Sequence, residues 1–413
     1  MIPAYGFGYT PPQLEIVERK GRGHPDTLAD GVAEAISCAY SRYCLEEFGD
    51  VLHHNCDKVV LLGGRAEVRF GYGRLTSPIR LVLNGRFSIS FADAPIPWRD
   101  IAEHAARNYL AKALPGINPC RDVVIHDMVS APPSPGVLTD ADPDLPPRSS
   151  VFMFAPRDRN DLTQSTFLES NDTSAGVGYA PYNTTHLIAL DLESWLTSDQ
   201  TATQHPYLGQ DVKIMVIYDG RGLRITACVP FVADHTPDLA FYTEGIGWVR
   251  EQMAHRALAM VPHGVGVCVD VNTRDVPELS EVYLTATDSA IESGDEGVVG
   301  RGNRLNGVIH FTGPMSLEAL HGKNPIYHIG KVYSVLADVI ASEITTATGR
   351  ASTVHLVSQS GRDLRDPWLC AVALADKPNE QARTYVDRIV EKRLAEVELL
   401  SNEIIRGAIP GLC

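Results

Sequence analysis

In each third of the 413-residue chain, short apolar runs of strand character meet long segments of helical period. This recurrence limits the fold more than any other feature. Residues 58–70 (KVVLLGGRAEVRF) and 77–87 (SPIRLVLNGRF) read as strands connected by GYGRLTSP, Trp98–Leu114 as a helix and residues 122–129 as another strand. In the middle, residues 211–232 read as two strands turning at Asp219–Gly222, Asp238–Val261 as a helix, and residues 264–272 and 281–291 as strands. Toward the C terminus come a helix over Tyr327–Thr346, strands at 352–361 and 368–375, and a closing helix over Asn379–Arg406. No fixed-period repeat accompanies the pattern. The predicted class is α+β with mixed, mainly antiparallel sheets. No dinucleotide-binding glycine fingerprint follows a first strand, and there is no GxxxxGK[ST].

A proline-rich, acidic stretch, Ala131–Ser150, reads as a surface loop dividing residues 1–130 from 151–413. The formal charge of −15 argues against a nucleic-acid partner. None of the eight cysteines forms a C-x-x-C pair, and several sit in apolar runs, as small buried thiols do in a reducing compartment. The N-terminal residues lack the apolar core of a signal peptide, and no stretch is apolar for long enough to cross a bilayer. The expectation is a cytoplasmic protein without a membrane partner.

Four stretches carry chemistry. In GRGHPDTLADGVAEAI (Gly21–Ile36), apolar residues from Leu28 to Ala39 recur at helical spacing, Pro25 suits a first turn and Gly49 a stop. Asp26 reads there as a helix cap or as a carboxylate beside metal and phosphate. GDEGVVGRGNRLNG (Gly294–Gly307) has five glycines in fourteen residues, so it is no regular element. It displays Arg301 and Arg304, whose forks match phosphate oxygens, and Asp295 and Glu296, suited to a divalent cation. In HGKNPIYHIGK (His321–Lys331), Asn324, His328 and Lys331 share one helical face. In HHNCDK (His53–Lys58), Asp57 is the functional candidate, with His53 and His54 as hydrogen-bonding groups. NDTSAGVGYAP (Asn171–Pro181) alone reads as a loop.

Together these five motifs, in this order, resemble the archaeal type of methionine adenosyltransferase, or S-adenosylmethionine synthetase. The resemblance implies three related β-α domains in pseudo-threefold arrangement, interleaved along the chain, and a homodimer with active sites between subunits. It implies that ATP and methionine react and that phosphate and pyrophosphate are released, with Mg²⁺ as cofactor and K⁺ as a further candidate. Carried across by motif, His24 touches the triphosphate while Asp26 and Asp295 hold Mg²⁺. Arg301, Lys323 and Lys331 bind phosphate, with Arg304 and His328 beside them. Asp57, Asn171, Asp172 and Asn324 line the methionine and nucleoside side, and Ala175 borders it.

The implied chemistry suits the inventory. A thioether is already nucleophilic, so its attack on C5′ of ATP needs no general base, and the lack of a Ser-His-Asp or Cys-His pattern is expected. Alignment can supply about 7–11 kcal/mol of barrier reduction, and one well-aimed charge about 3 kcal/mol. Departures from the family surround the organic substrates. Cys56 and Lys58 replace threonine and glutamine, Ala175 replaces phenylalanine, Glu296 and Val298 are substituted, and Ala131–Ser150 stands in place of a glycine-serine nucleotide loop. Two alternatives remain at this point: a paralogue alkylating another sulfur nucleophile with ATP, and a non-catalytic nucleotide-binding subunit.

Overall fold

The computed structural model describes residues 4–7, 14–130, 152–162, 164, 167–279 and 281–412. The proline-rich stretch at 131–150, and the boundary read from it, lie outside the described residues.

The chain builds one plan three times. After β1 (Ala4–Phe7) and β2 (Glu15–Lys20), the first unit runs α1 (Pro25–Phe48), β3 (Val60–Leu62), β4 (Ile79–Leu83), α2 (Trp98–Ala113), β5 (Val123–Asp127). Then β6 (Ala175–Ala180) leads into α3 (Thr184–Leu196), β7 (Lys213–Tyr218), β8 (Gly222–Cys228), α4 (Leu239–Met260) and β9 (Gly266–Val271). The short strands β10 (Gly297–Val298) and β11 (Ile309–His310) precede α5 (Ile329–Thr348), β12 (Ser352–Val357), β13 (Leu369–Leu374), α6 (Glu380–Ala395) and α7 (Val397–Ile405). The sheets order as β10-β3-β4-β5, β2-β7-β8-β9 and β6-β12-β13-β1, with β11 added outside β2. In each, the first two pairings are antiparallel and the third is parallel. Each sheet takes at least one strand from a distant part of the chain, so the units interleave. The repetition is of topology, which explains why no period is visible in the sequence.

Three apolar cores follow from this plan. Leu28, Val32 and Ile36 of α1 pack with Leu61, Leu81 and Leu110. Ile188, Leu192 and Val249 cover Val17, Ile214 and Ile225. Val332, Leu336 and Val386 cover Val354, Leu356 and Val372. Where α5 crosses β6 the strand has glycine at 176 and 178. A Cβ there would lie 2.3 Å from the Tyr333 carbonyl carbon and 2.2 Å from the Asp338 nitrogen, so only glycine lets the helix come so close.

The mixed α+β expectation holds, and most predicted elements appear within a few residues. Four differ. Residues 58–70 are broken at Gly63 and Gly64, beyond which Arg65–Arg69 pairs with Tyr72–Ser77, where only a connection was expected. Residues 281–291 keep just Leu284–Thr285 as strand; Asp288 takes a positive φ of 69° and the backbone turns toward Asp211. The closing helix is interrupted at Glu396. Helices at Thr184–Leu196 and Asp199–Gln204 were not foreseen. Among the described residues, no helix is long and apolar enough to cross a membrane.

Candidate active site

The site is organised by one face of α1. Asp26, Asp30 and Glu34 are spaced four apart, so they stack on one side of the helix, and all three are buried. Asp26 takes Lys20 Nζ on Oδ2 at 2.8 Å and the Val298 N–H on Oδ1 at 3.0 Å. Asp30 accepts the Gly300 N–H at 2.7 Å and lies 3.3 Å from His321 Nδ1. Glu34 accepts Lys331 Nζ on both oxygens at 2.8 Å and the Gly322 N–H at 3.0 Å. Unpaired carboxylates would be costly here, and each instead fastens a loop.

The helix cap is His24, not Asp26: His24 Nδ1 accepts the Asp26 N–H at 3.1 Å. Burial, with Lys20 nearby, lowers the imidazole to about 4, so at neutral pH it is uncharged with its proton on Nε2. Burial opposes ionisation of Asp26, but the Lys20 and Val298 hydrogen bonds keep its carboxyl below the ordinary value.

Gly294–Gly307 lies against the start of this helix. A Cβ on Gly297 would sit 1.9 Å from the Pro25 carbonyl oxygen, and one on Gly302 2.1 Å from Asp30 Oδ2. The glycine density is therefore a packing requirement. Arg301 is exposed. Arg304 is turned inward and donates to the Gly300 and Gly302 carbonyls, which makes it a brace of the loop.

On the other side of this helix start is a cavity of about 570 Å³, within the usual range for a ligand site. His24 and Asp295 line it, together with residues the sequence had not singled out: Asp211, Lys213, Arg274 and Tyr283. Asp211 is 4 % exposed and accepts the Ala290 N–H at 2.9 Å and the Ser289 and Tyr283 hydroxyls. Burial pushes its carboxyl up to about 7 despite those bonds. The one available signal was DVK, a charged pair entering an apolar strand.

The remaining predicted residues gather around the Lys323 segment. Lys323 is 3 % exposed. It pairs closely with Glu318 and lies 4.0 Å from Asp57. Burial opposes ionisation of Glu318, but hydrogen bonds from Lys323 and Ser174 keep it below its ordinary value. Lys331 is wholly buried against Glu34. Asn324 donates to the Leu52 carbonyl and accepts the Ile326 N–H, and Asn171 accepts the Ile329 N–H, so both hold backbone. His328 is buried with Nδ1 unpartnered; burial and then Lys323 and Lys331 drive it well below its ordinary value. Asp172 is exposed and accepts the N–H of Thr173. Ala175 begins β6 and does not line the His24–Asp295 cavity; its carbonyl accepts the Ser316 hydroxyl.

No cluster of three metal-ligating side chains occurs among the described residues. Mg²⁺ does not require one, since it keeps waters and takes one or two carboxylates plus substrate phosphates. Asp295 fits that role: among the described residues, the Glu296 N–H on Oδ1 is its one hydrogen bond. Asp26 fits if Lys20 gives up Oδ2.

The sequence model of the S-adenosylmethionine synthetase (AdoMet synthetase) family matches residues 8–141 and 151–408. A probable S-adenosylmethionine synthase of Aquifex aeolicus is 37 % identical over 387 residues, covering 93 % of this chain and 91 % of the relative. The S-adenosylmethionine synthase of Methanoregula boonei is 36 % identical over 402 residues, and that of Pyrococcus furiosus 35 % over 402; each alignment covers 96 % of this chain and 95 % of the relative. With the five motifs, these matches establish that the chain belongs to the S-adenosylmethionine synthetase family, in its archaeal form.

Proposed function

We propose that this methionine adenosyltransferase forms S-adenosylmethionine in the cavity bounded by His24, Asp211, Lys213 and Asp295. The convergence of two carboxylates, a neutral imidazole donor and a lysine in one cavity is the observation that carries this reading. In the reaction the methionine sulfur displaces triphosphate from C5′ of ATP, giving a sulfonium and a polyanionic leaving group. The protein's contribution is alignment and cationic stabilisation. His24 offers Nε2–H to a phosphate oxygen without bringing a charge. Arg301 is exposed and free to swing onto phosphate, while Lys323 reaches it by exchanging Glu318, whose side chain is 25 % exposed. Asp295, joined by Asp26, would hold Mg²⁺, which neutralises phosphate charge when bound. Water then attacks a terminal phosphorus of the displaced triphosphate and breaks the P–O–P bond, giving phosphate and pyrophosphate.

The working unit is a homodimer of cytoplasmic enzyme. Helices cover one face of each sheet. The other faces carry half-exposed apolar side chains: Val60, Leu62 and Val82 on the first, Met215 and Ile217 on the second, Val177, Tyr179 and Val357 on the third. A second copy burying them would form the large apolar interface of an obligate dimer. Sedimentation equilibrium giving a monomer at micromolar concentration would remove this part.

The activity is read by incubating protein, ATP, Mg²⁺ and methionine, then following S-adenosylmethionine by mass spectrometry and phosphate and pyrophosphate by phosphorus NMR. All three products should appear, and Asp295→Asn should raise the Mg²⁺ requirement. Triphosphate accumulating as an end product would overturn the second half of the reaction. A native Mg²⁺ titration in that variant would remove Asp295 from the metal.

A further inference from the structure

Asp30 takes no part in the chemistry above, yet it joins both loops that do. It is 3 % exposed, in the middle of the acidic face of α1. The Gly300 N–H and His321 Nδ1 meet the same oxygen, Oδ1. Gly300 precedes Arg301, and His321 stands two residues before Lys323. The backbone next to His321 is pinned as well: Gly322 donates to Glu34 and accepts the Cys56 N–H at 2.8 Å.

We propose that His321 is a positioning residue: as a cation against Asp30, it holds the Arg301 loop and the Lys323 segment in one register on α1. The proposal rests on the reading of those two loops as substrate-facing.

The surroundings favour the charged ring. Burial works against it, but Asp30, and behind it Glu34, raise His321 above its ordinary value, while Lys331 of α5 opposes them. Arg304 of the glycine-rich loop also faces Asp30. Arg19, Arg22 and Tyr109 face the pair across a cavity of about 270 Å³, which gives water a route for proton exchange. The sign follows. A histidine raised in the folded state contributes its full stabilisation below its unfolded value, and loses it as pH climbs through the folded one. The neutral ring keeps at most an uncharged Nδ1–H bond to Asp30, and the loops lose the ionic part of their common anchor.

The test compares kcat and KM for ATP and methionine, from about pH 6 to about pH 9, in wild type, His321→Gln, His321→Lys and Asp30→Asn. Wild type should lose kcat on the alkaline side. His321→Gln should lose about 10²-fold in kcat, the cost of a displacement near 1 Å at reacting groups, raise KM for ATP, and lack the alkaline decline. His321→Lys should recover most of the kcat and hold it at high pH. Asp30→Asn, which keeps an acceptor for Gly300, should behave like His321→Gln. A native kcat and pH profile in His321→Gln would overturn the proposal. So would a loss matched by an equal loss of folded protein, with KM and profile unchanged. Arg301→Ala and Lys323→Ala separate the two readings. If both are native-like, the loops do not face substrate. If both are impaired while His321→Gln is native, only the positioning role fails.

Discussion

Two neighbourhoods of α1 use the same residue types to opposite ends. On the cavity side, His24 and Asp211 face open space, and burial pushes their ionisation toward the neutral forms, to about 4 and about 7. At the far end, Glu34 and Lys331 are fully buried and each satisfies the other. A group whose charge the protein leaves uncompensated is available to a ligand, whereas a closed pair serves structure. Lys323 lies between the extremes. It is buried, but its partner Glu318 reaches solvent and can be exchanged. The contrast teaches that a lysine proposed to bind phosphate need not be free before substrate arrives.

The strongest test of the contrast is at its closed end. Lys331→Met leaves Glu34 buried and unpaired, and should cost about 3–5 kcal/mol of stability, read as the shift of the urea midpoint. Glu34→Gln combined with Lys331→Met should restore much of it. A single variant as stable as wild type would dissolve the distinction. Next is Lys323→Ala, with turnover expected to fall by about 10²–10³, or roughly 3 kcal/mol at a developing charge, while the melting temperature moves little because Glu318 can be hydrated. A large drop in melting temperature with normal turnover would move Lys323 into the structural class.

A smaller effect is expected for Asp26→Asn. Since His24 is the cap, the helix keeps its start. The Mg²⁺ needed for half-maximal rate should rise by about 10-fold or more, as when a group supporting a metal site is lost. An unchanged titration would leave Asp26 as the partner of Lys20 alone. The mildest test concerns Asp211. Its carboxyl is raised from the ordinary 3.8 to about 7 in the folded state, so the native state holds a proton that the unfolded chain gives up. Stability should therefore fall as pH rises across that interval. Asp211→Asn removes this loss, so its melting temperature should gain on wild type from about pH 4 to about pH 7 and then stay level. A constant offset would mean that Asp211 is ionised throughout.

Sequence order alone revealed two of the residues that line the cavity, His24 and Asp295, and most of the longer strands and helices. Their local signals, such as Pro25 at a first turn and Gly49 at a stop, depend on near neighbours. It did not reveal the partners. Asp211 and Ser289 are 78 residues apart, and Glu34 and Lys331 297 apart, so no spacing rule joins them. The misread strand at 281–291 has the same cause, since its backbone N–H at Ala290 is taken by Asp211 rather than by a neighbouring strand.

What the sequence by itself determined is the family, the α+β class and the residue types proposed to hold triphosphate and metal, because these rest on composition and short motifs. Only the tertiary structure decided which of those residues are open and which are closed. The charge state of a carboxylate or an imidazole depends on burial and on what stands within a few ångströms. In this chain those neighbours come from the far ends of three interleaved sheets.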